Sequence, residues 1–324
     1  MPNISNILFF GGEPLMSVDA IETICKIFED KGVNFLMETN GTIYNEIIHE
    51  IIEKYGIKVT VSIDGPKEIN DIHRKYPNGK GSYDDIVSNV FKLNKETENV
   101  CYLQGTYTKQ SSELLDKDEI VNNLYRDLNI PRISIYNVVS KNKDITLTNM
   151  KKTAINGEVD KFFDDIFNCN INCNDSLKLI LSSILSQSRY LYFCNAGVTQ
   201  VSIDCNGDIW PCPLFTNKKG YNIGNIFDSI HLINLGFRNA SMKLKILNKG
   251  NHQDCNNCIA SFWCRKCVAE SLIKDEAITI NKNNCNEHVK LTEELLIKLT
   301  EIAMDGKLNE FTQKFEKNYS LELL

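Results

Sequence analysis

The C-terminal part of the chain, from residue 194 onward, concentrates cysteines that are spaced like metal ligands. Seven of its cysteines form this set: Cys194, Cys212, Cys255, Cys258, Cys264, Cys267 and Cys285. Cys255 through Cys267 place four thiols within thirteen residues. Thiols this close cannot all form unstrained disulfides, because a bridge needs Cβ atoms about 3.5–4.5 Å apart with a defined torsion. A soft metal satisfies them better, so the sequence predicts bound metal here.

The number and spacing of these cysteines favour iron–sulfur clusters. A structural zinc site needs four ligands in two pairs, usually with a longer loop than the five residues between Cys258 and Cys264. The set exceeds one zinc ion, whereas two 4Fe–4S clusters use four cysteines each. Zinc binding and redox-active or disulfide-forming thiols remain the alternatives.

A glycine-rich junction lies near the first residue. The apolar run 4–10 stops at Gly11, Gly12, Glu13 and Pro14, which is typical of a buried strand followed by a loop. Two glycines let the backbone approach a ligand closely, and Pro14 fixes the exit from the loop. By itself, the same junction is equally typical of a tight turn from strand to helix.

Two further predicted strands end in polar residues. Residues 35–37 lead to Asn40. Residues 59–63 include Ser62 near their end and lead to Asp64. Later strands are predicted at 100–107 and 132–138, with helices at 83–94 and 117–128. This alternation predicts an α/β fold with a parallel sheet. The carboxyl ends of barrel strands form the active face, so we expect these polar residues to converge there.

Gly-Gly-Glu-Pro after a strand, followed by this cysteine spacing, resembles the radical S-adenosylmethionine (radical SAM) enzymes that carry a SPASM domain. The resemblance implies that the backbone of Gly11, Gly12 and Glu13 binds the amino group of S-adenosylmethionine. It also implies that Arg74 pairs the carboxylate of the cofactor, a task that suits its planar fork of donors. A solvated surface charge is the alternative for Arg74. The complete cofactor-binding set is Gly11, Gly12, Glu13, Pro14, Asn40, Ser62, Asp64 and Arg74.

The same resemblance implies two auxiliary 4Fe–4S clusters. The second cluster takes four cysteines: Cys255, Cys258, Cys264 and Cys285. The first takes Cys194, Cys212 and Cys267, which leaves it one ligand short. Candidates for the fourth ligand are Cys205, Cys169 and Cys173, or a substrate cysteine at an open iron position.

One family motif is missing from the sequence. Radical SAM enzymes hold their SAM-binding cluster with Cys-x-x-x-Cys-x-x-Cys ahead of Gly-Gly-Glu-Pro, and this chain begins at Met1 without it. Cys169 and Cys173 match the first spacing but lack the third cysteine. We therefore expect a partial TIM-like barrel without its first strand and helix, inactive as this chain alone. A truncated gene model or fragment is favoured over a misplaced start, half of a split enzyme or a degenerate homologue.

The resemblance also suggests a substrate class. Sulfatase-maturing members carry an aspartate where this chain has Pro213, and residues 210–214 look more like peptide maturases. We expect modification of a ribosomally made precursor peptide, including thioether formation at cysteines, by 5′-deoxyadenosyl radical hydrogen abstraction. An electron donor such as flavodoxin or ferredoxin is implied. The alternatives are a sulfatase-maturing type of enzyme, a non-catalytic iron–sulfur electron-transfer or peptide-binding partner, and a zinc-stabilised interaction module.

Composition agrees with these expectations. A chain of 324 residues that is 42% hydrophobic can bury a substantial core, and a net charge of −6 gives no reason to expect nucleic-acid binding. No signal peptide or apolar run of about 20 residues is present, so we expect a cytoplasmic protein without a membrane partner. Four units are predicted: the partial barrel at 1–140, a helical bridge at 141–190, the SPASM domain at 191–290 and a helical tail at 291–324.

Overall fold

The computed structural model describes residues 4–95, 98–147, 157–170, 174–267, 271, 278 and 285–319. Strands and helices alternate through the N-terminal part of the chain. The elements are β1 (Asn6–Phe9), α1 (Val18–Phe28), β2 (Asn34–Thr39), α2 (Glu46–Tyr55), β3 (Lys58–Ser62), α3 (Lys67–His73), α4 (Tyr83–Leu93), β4 (Val100–Tyr107), α5 (Lys109–Leu114), α6 (Lys117–Leu128) and β5 (Ile133–Asn137). The five strands form one parallel sheet in chain order, with β1 and β5 at its edges. The predicted α/β class and parallel sheet are confirmed.

The two faces of this sheet differ. Side chains alternate along each strand, so Val59, Val61 and Leu103 point to one face and are buried with the helices. The opposite face carries Thr60 and Tyr102, which are only partly buried. One face of the sheet therefore forms the core, while the other keeps polar side chains accessible.

Four helices form a second core. They are α7 (Glu158–Phe167), α8 (Asp175–Leu185), α11 (Cys285–Met304) and α12 (Leu308–Tyr319), whereas α9 (Ile230–Lys243) and α10 (Gln253–Asn256) lie in the cysteine-rich part. Phe163 and Phe311 stack with ring centroids 4.6 Å apart, and Leu295 is fully buried beside them. The predicted bridge and tail thus contribute to one core, because the apolar faces of their helices cover each other. The limits of the four predicted units stay a prediction.

The cysteine-rich part contains a small antiparallel sheet. Its strands are β6 (Ser202–Ile203), β7 (Asp208–Trp210) and β8 (Gly224–Asn225), and α9 and α10 follow them in the chain. The turn between β6 and β7 contains Gly207 at φ +81°, a conformation that favours glycine. The Asp204 carboxylate accepts a 2.9 Å hydrogen bond from the indole N–H of Trp210 and so closes the hairpin. Phe193, Phe215 and Leu247 fill a third core beside it.

Candidate functional site

The loop after β1 presents open backbone at the carboxyl edge of the parallel sheet. Gly11 adopts φ +111°, which side-chain-bearing residues rarely adopt. A Cβ built at Gly11 or at Gly12 would meet no atom within 4 Å. The backbone here is thus exposed to an approaching ligand rather than packed against the protein.

Glu13 uses its side chain to connect two strand ends. Its carboxylate accepts hydrogen bonds from the Thr39 hydroxyl at 2.7 Å, the Asn40 N–H at 2.7 Å and the Leu15 N–H at 3.1 Å. Pro14 begins a short 3-10 helix immediately after it. The loop after β1 is therefore held to the end of β2. This bond network is a role of the Glu13 side chain that sequence reasoning, concerned with its backbone, did not anticipate.

Arg74 and Asp64 form an ion pair at the same edge. The Arg74 Nη2 lies 2.9 Å from the Asp64 Oδ1, and Asp64 is only 4% exposed. Asp64 also accepts a 2.8 Å hydrogen bond from the Thr106 N–H. Within the described residues, the Arg74 Nε is buried and has no hydrogen-bond acceptor. Arg74 is therefore a guanidinium held by an ion pair with a buried Nε–H that no described residue accepts, unlike a solvated surface charge.

A cavity of about 310 Å³ lies next to this ion pair. Its lining includes Asn40, Thr42, Arg74 and Tyr76. The Asn40 Oδ1 accepts hydrogen bonds from the Thr42 N–H at 2.8 Å and the Thr42 hydroxyl at 2.6 Å, which fixes this side of the cavity. Ser62 ends β3 and is partly buried. Open glycine backbone, a spare guanidinium donor and a cavity together fit the amino-acid end of S-adenosylmethionine.

Three thiols lie close together in the cysteine-rich part. The pKa of the Cys212 thiol is raised to about 11, mainly by burial and in smaller part by the charges of Cys267 and Cys194. Cys212 also packs in the third core together with Cys194. These three cysteines form what we call the first thiol group.

A second thiol group contains Cys255, Cys258, Cys264 and Cys285. Burial raises the pKa of Cys255, with further increases from the charges of Cys258 and Cys285. Burial also raises the pKa of Cys264, and Cys285 and Cys255 add to that increase. Thiols that are costly to ionise without a partner, gathered in this way, fit a metal cluster that binds them as thiolates.

Among the described residues, no three His, Cys, Asp or Glu side chains converge closely enough to hold one metal ion. A 4Fe–4S cluster does not need that arrangement, because each cysteine binds a different iron. Of the candidates for a fourth ligand, Cys205 and Cys169 are exposed, and Cys173 lies outside the described residues. The charge of Cys169 acts on Lys314 of α12, so Cys169 lies at the surface beside the four-helix core.

Three basic side chains surround the second thiol group. Lys266 donates a 3.2 Å hydrogen bond to the Cys285 Sγ. Lys249 is buried, and its pKa is lowered by burial but raised by Cys264, Cys255 and Cys258. Burial and the two lysine charges lower the pKa of His288 to about 4. Sequence reasoning missed Lys249, because nothing in its sequence neighbourhood distinguishes it from a surface lysine.

Comparison with protein families agrees with this geometry. Residues 1–111 match the model of the radical SAM superfamily, and residues 194–259 match SPASM, an iron–sulfur cluster-binding domain. The glycine-rich loop at the carboxyl edge of the sheet lies within the first match, and Cys194, Cys212, Cys255 and Cys258 lie within the second. The chain therefore contains a radical SAM domain followed by a SPASM domain.

Curated relatives are similar at low to moderate identity. The cysteine-type anaerobic sulfatase-maturating enzyme of Clostridium perfringens is 23% identical over 321 residues, covering 92% of this chain and 83% of that protein. The radical SAM cyclopropyl synthase TigE of Paramaledivibacter caminithermalis is 24% identical over 266 residues, covering 78% of this chain and 52% of that protein. An uncharacterised protein of Methanocaldococcus jannaschii, MJ0907, is 41% identical over 97 residues, covering 29% of this chain and 34% of that protein.

Solved structures share the fold. Native anSMEcpe with bound AdoMet superposes with a TM-score of 0.71 at 17% identity, covering 94% of this chain and 86% of that chain. Streptococcus suis SuiB bound to precursor peptide SuiA gives a TM-score of 0.55 at 18% identity, covering 86% of this chain and 64% of that chain. Separately, none of the helices in the described ranges is long and apolar enough to span a membrane.

Proposed function

We propose that this chain contributes the cofactor-binding edge and the auxiliary clusters of a peptide maturase of the radical SAM/SPASM family. The observation that carries the proposal is the division of seven cysteines into two neighbouring groups. Similarity to TigE and to SuiB bound to its precursor peptide supports a ribosomally made peptide as substrate. When bound, S-adenosylmethionine and its cluster supply the radical that removes a hydrogen atom from the substrate.

The sheet edge would hold the amino-acid end of the cofactor. The open backbone of Gly11 and Gly12 would accept its ammonium group, and the free Nε of Arg74 would donate to its carboxylate. Asp64 keeps the Arg74 guanidinium in place from the opposite side. Glu13 holds the loops after β1 and β2 together, so the binding edge is organised in advance.

The two thiol groups would hold the two auxiliary clusters. The second group supplies a full set of four ligands, whereas the first supplies three. An open iron position in the first cluster would suit a cysteine thiolate of the peptide and would bring thioether formation within reach. Pro213 stands where sulfatase-maturing members have an aspartate, so the first cluster has no carboxylate directly after Cys212.

A second function is favoured by one observation. The sulfatase-maturating relative of Clostridium perfringens covers 92% of this chain, more than TigE does. The chain would then act on a cysteine of a sulfatase. The two functions can be distinguished by substrate. An active preparation is incubated with a sulfatase-derived cysteine peptide and, separately, with a precursor-type peptide. Formylglycine in the first peptide, with the second unchanged, would favour the sulfatase-maturing function.

Cluster content tests the core of the proposal. Iron and acid-labile sulfide are measured after anaerobic reconstitution in the wild-type chain and in Cys258→Ala. We expect two clusters in the wild type and only one in the variant. Cys25→Ala is the matched control, since Cys25 is buried among the helices of the first core and should leave the iron content unchanged. One zinc ion without sulfide would contradict the proposal.

A further inference from the structure

Among the described residues, Lys249 is the most deeply buried cation near the clustered thiols. Only 4% of the residue is exposed. Its ammonium donates hydrogen bonds to the Tyr190 carbonyl oxygen at 2.7 Å and the Ser261 carbonyl oxygen at 2.5 Å. A lysine is rarely buried without a partner, so this charge needs compensation beyond two neutral carbonyls.

The compensation comes from sulfur. The Ser261 carbonyl that accepts the Lys249 hydrogen bond lies in the short segment between Cys258 and Cys264, which places the ammonium beside the second thiol group. The charges of Cys264, Cys255 and Cys258 accordingly act to raise the pKa of Lys249. An ammonium has three N–H donors, and the described residues accept hydrogen bonds from two of them. The ammonium also lies 5.8 Å from the centroid of the Phe193 ring, and among the described residues no carboxylate pairs with it.

The backbone around Lys249 is fixed on both sides. The Lys249 N–H donates to the Leu191 carbonyl oxygen at 3.0 Å, and the Phe193 N–H donates to the Leu247 carbonyl oxygen at 2.9 Å. On its other side, Phe193 accepts a 3.1 Å hydrogen bond from the Lys266 N–H. Such bracing holds the ammonium in place, so its charge acts at a constant distance from the thiols.

We propose that Lys249 is a positioning cation that sets the reduction potential of the cluster held by Cys255, Cys258, Cys264 and Cys285. The inference rests on the proposed function, because it requires that cluster. Each electron that enters a cluster adds negative charge, and a buried positive charge nearby favours the reduced state. Lys249 thus raises the potential of the second cluster and leaves the first cluster unaffected.

The test compares midpoint potentials in full-length, anaerobically reconstituted chains. EPR-monitored redox titration is carried out on the wild type, Lys249→Met, Lys249→Gln and Lys249→Arg, with iron and sulfide measured in each. In the Lys249→Met and Lys249→Gln variants, we expect the equilibrium constant for one-electron reduction of the second cluster to fall at least tenfold. This corresponds to a midpoint potential lower by about 59 mV. Arg should restore the wild-type potential. Lys245→Met is the matched control, since Lys245 lies on the same segment and is exposed.

The outcomes separate the inference from the proposed function. No cluster in the wild type would overturn both. Two clusters with wild-type potentials in Lys249→Met and Lys249→Gln would overturn only the inference. If Met and Gln lose the second cluster while Arg retains it, the requirement for a cation is supported. If Arg loses it as well, position 249 serves only packing and the inference fails. In a Cys258→Ala background, Lys249→Met should not shift the remaining cluster.

Discussion

The carboxyl edge of the parallel sheet and the cysteine-rich part are organised in different ways. At the sheet edge, Glu13 and Asp64 already have their hydrogen bonds and ion pair, so this edge is formed without a ligand. In the cysteine-rich part, burial raises the pKa of Cys212, Cys255 and Cys264, so their thiolate forms are disfavoured until a metal binds them. The comparison teaches that the first site is preorganised by the polypeptide, whereas the second depends on what it binds.

Removal of iron should separate the two regions most strongly. Metal binding contributes folding free energy where ligands are otherwise unsatisfied. Chelation should therefore reduce the amide protection of residues 247–264 by at least about tenfold, while β3 and β4 stay protected. Hydrogen exchange with and without reconstituted clusters measures this. Equal protection in both preparations would show that the cysteine-rich part is as preorganised as the sheet.

Asp64→Ala should produce the next largest effect. It leaves the partly buried Arg74 unpaired and removes the acceptor of the Thr106 N–H, which costs about 3 kcal/mol of folding free energy. Urea denaturation measures the loss. Lys80→Met is the control, because it breaks an exposed pair with Asp85 and should change stability little. A similar small change in Asp64→Ala would mean that the edge is less organised than the hydrogen bonds indicate.

Arg74→Met tests whether the preorganised edge binds the cofactor. Loss of the free Nε donor and of the charge should weaken binding of S-adenosylmethionine about tenfold or more. Isothermal titration calorimetry on the reconstituted chain gives the affinity. Lys80→Met again serves as the control. Unchanged affinity in Arg74→Met would remove Arg74 from the proposed site.

The two glycines of the loop give the smallest and sharpest comparison. Alanine at Gly11 must adopt φ +111° and should cost about 1 kcal/mol of stability, whereas alanine at Gly12 meets no such restriction. Thermal unfolding of the two variants measures the difference. Both should weaken cofactor binding if the ligand approaches this backbone. Equal stability of the two variants would contradict the positive φ of residue 11, which only glycine adopts without strain.

Local sequence signals determined much of the fold and the identity of the site. Apolar runs ending in glycine or polar residues located β1, β2 and β3, and the helical stripes between them required a parallel sheet. The spacing of the cysteines was by itself enough to predict metal binding. These features are local, because strand periodicity and close thiol spacing are each determined by a short stretch of sequence.

Only the tertiary structure showed which distant groups meet. Arg74 and Asp64 are ten residues apart, but their ion pair and the unused Nε of Arg74 depend on how α3 folds back onto the sheet edge. Lys249 looks like a surface lysine in sequence and becomes a buried cation because Tyr190 and Ser261 close over it. Burial and long-range charge contacts come from packing, which no local pattern encodes, and the electrostatics of the thiol groups depend on them.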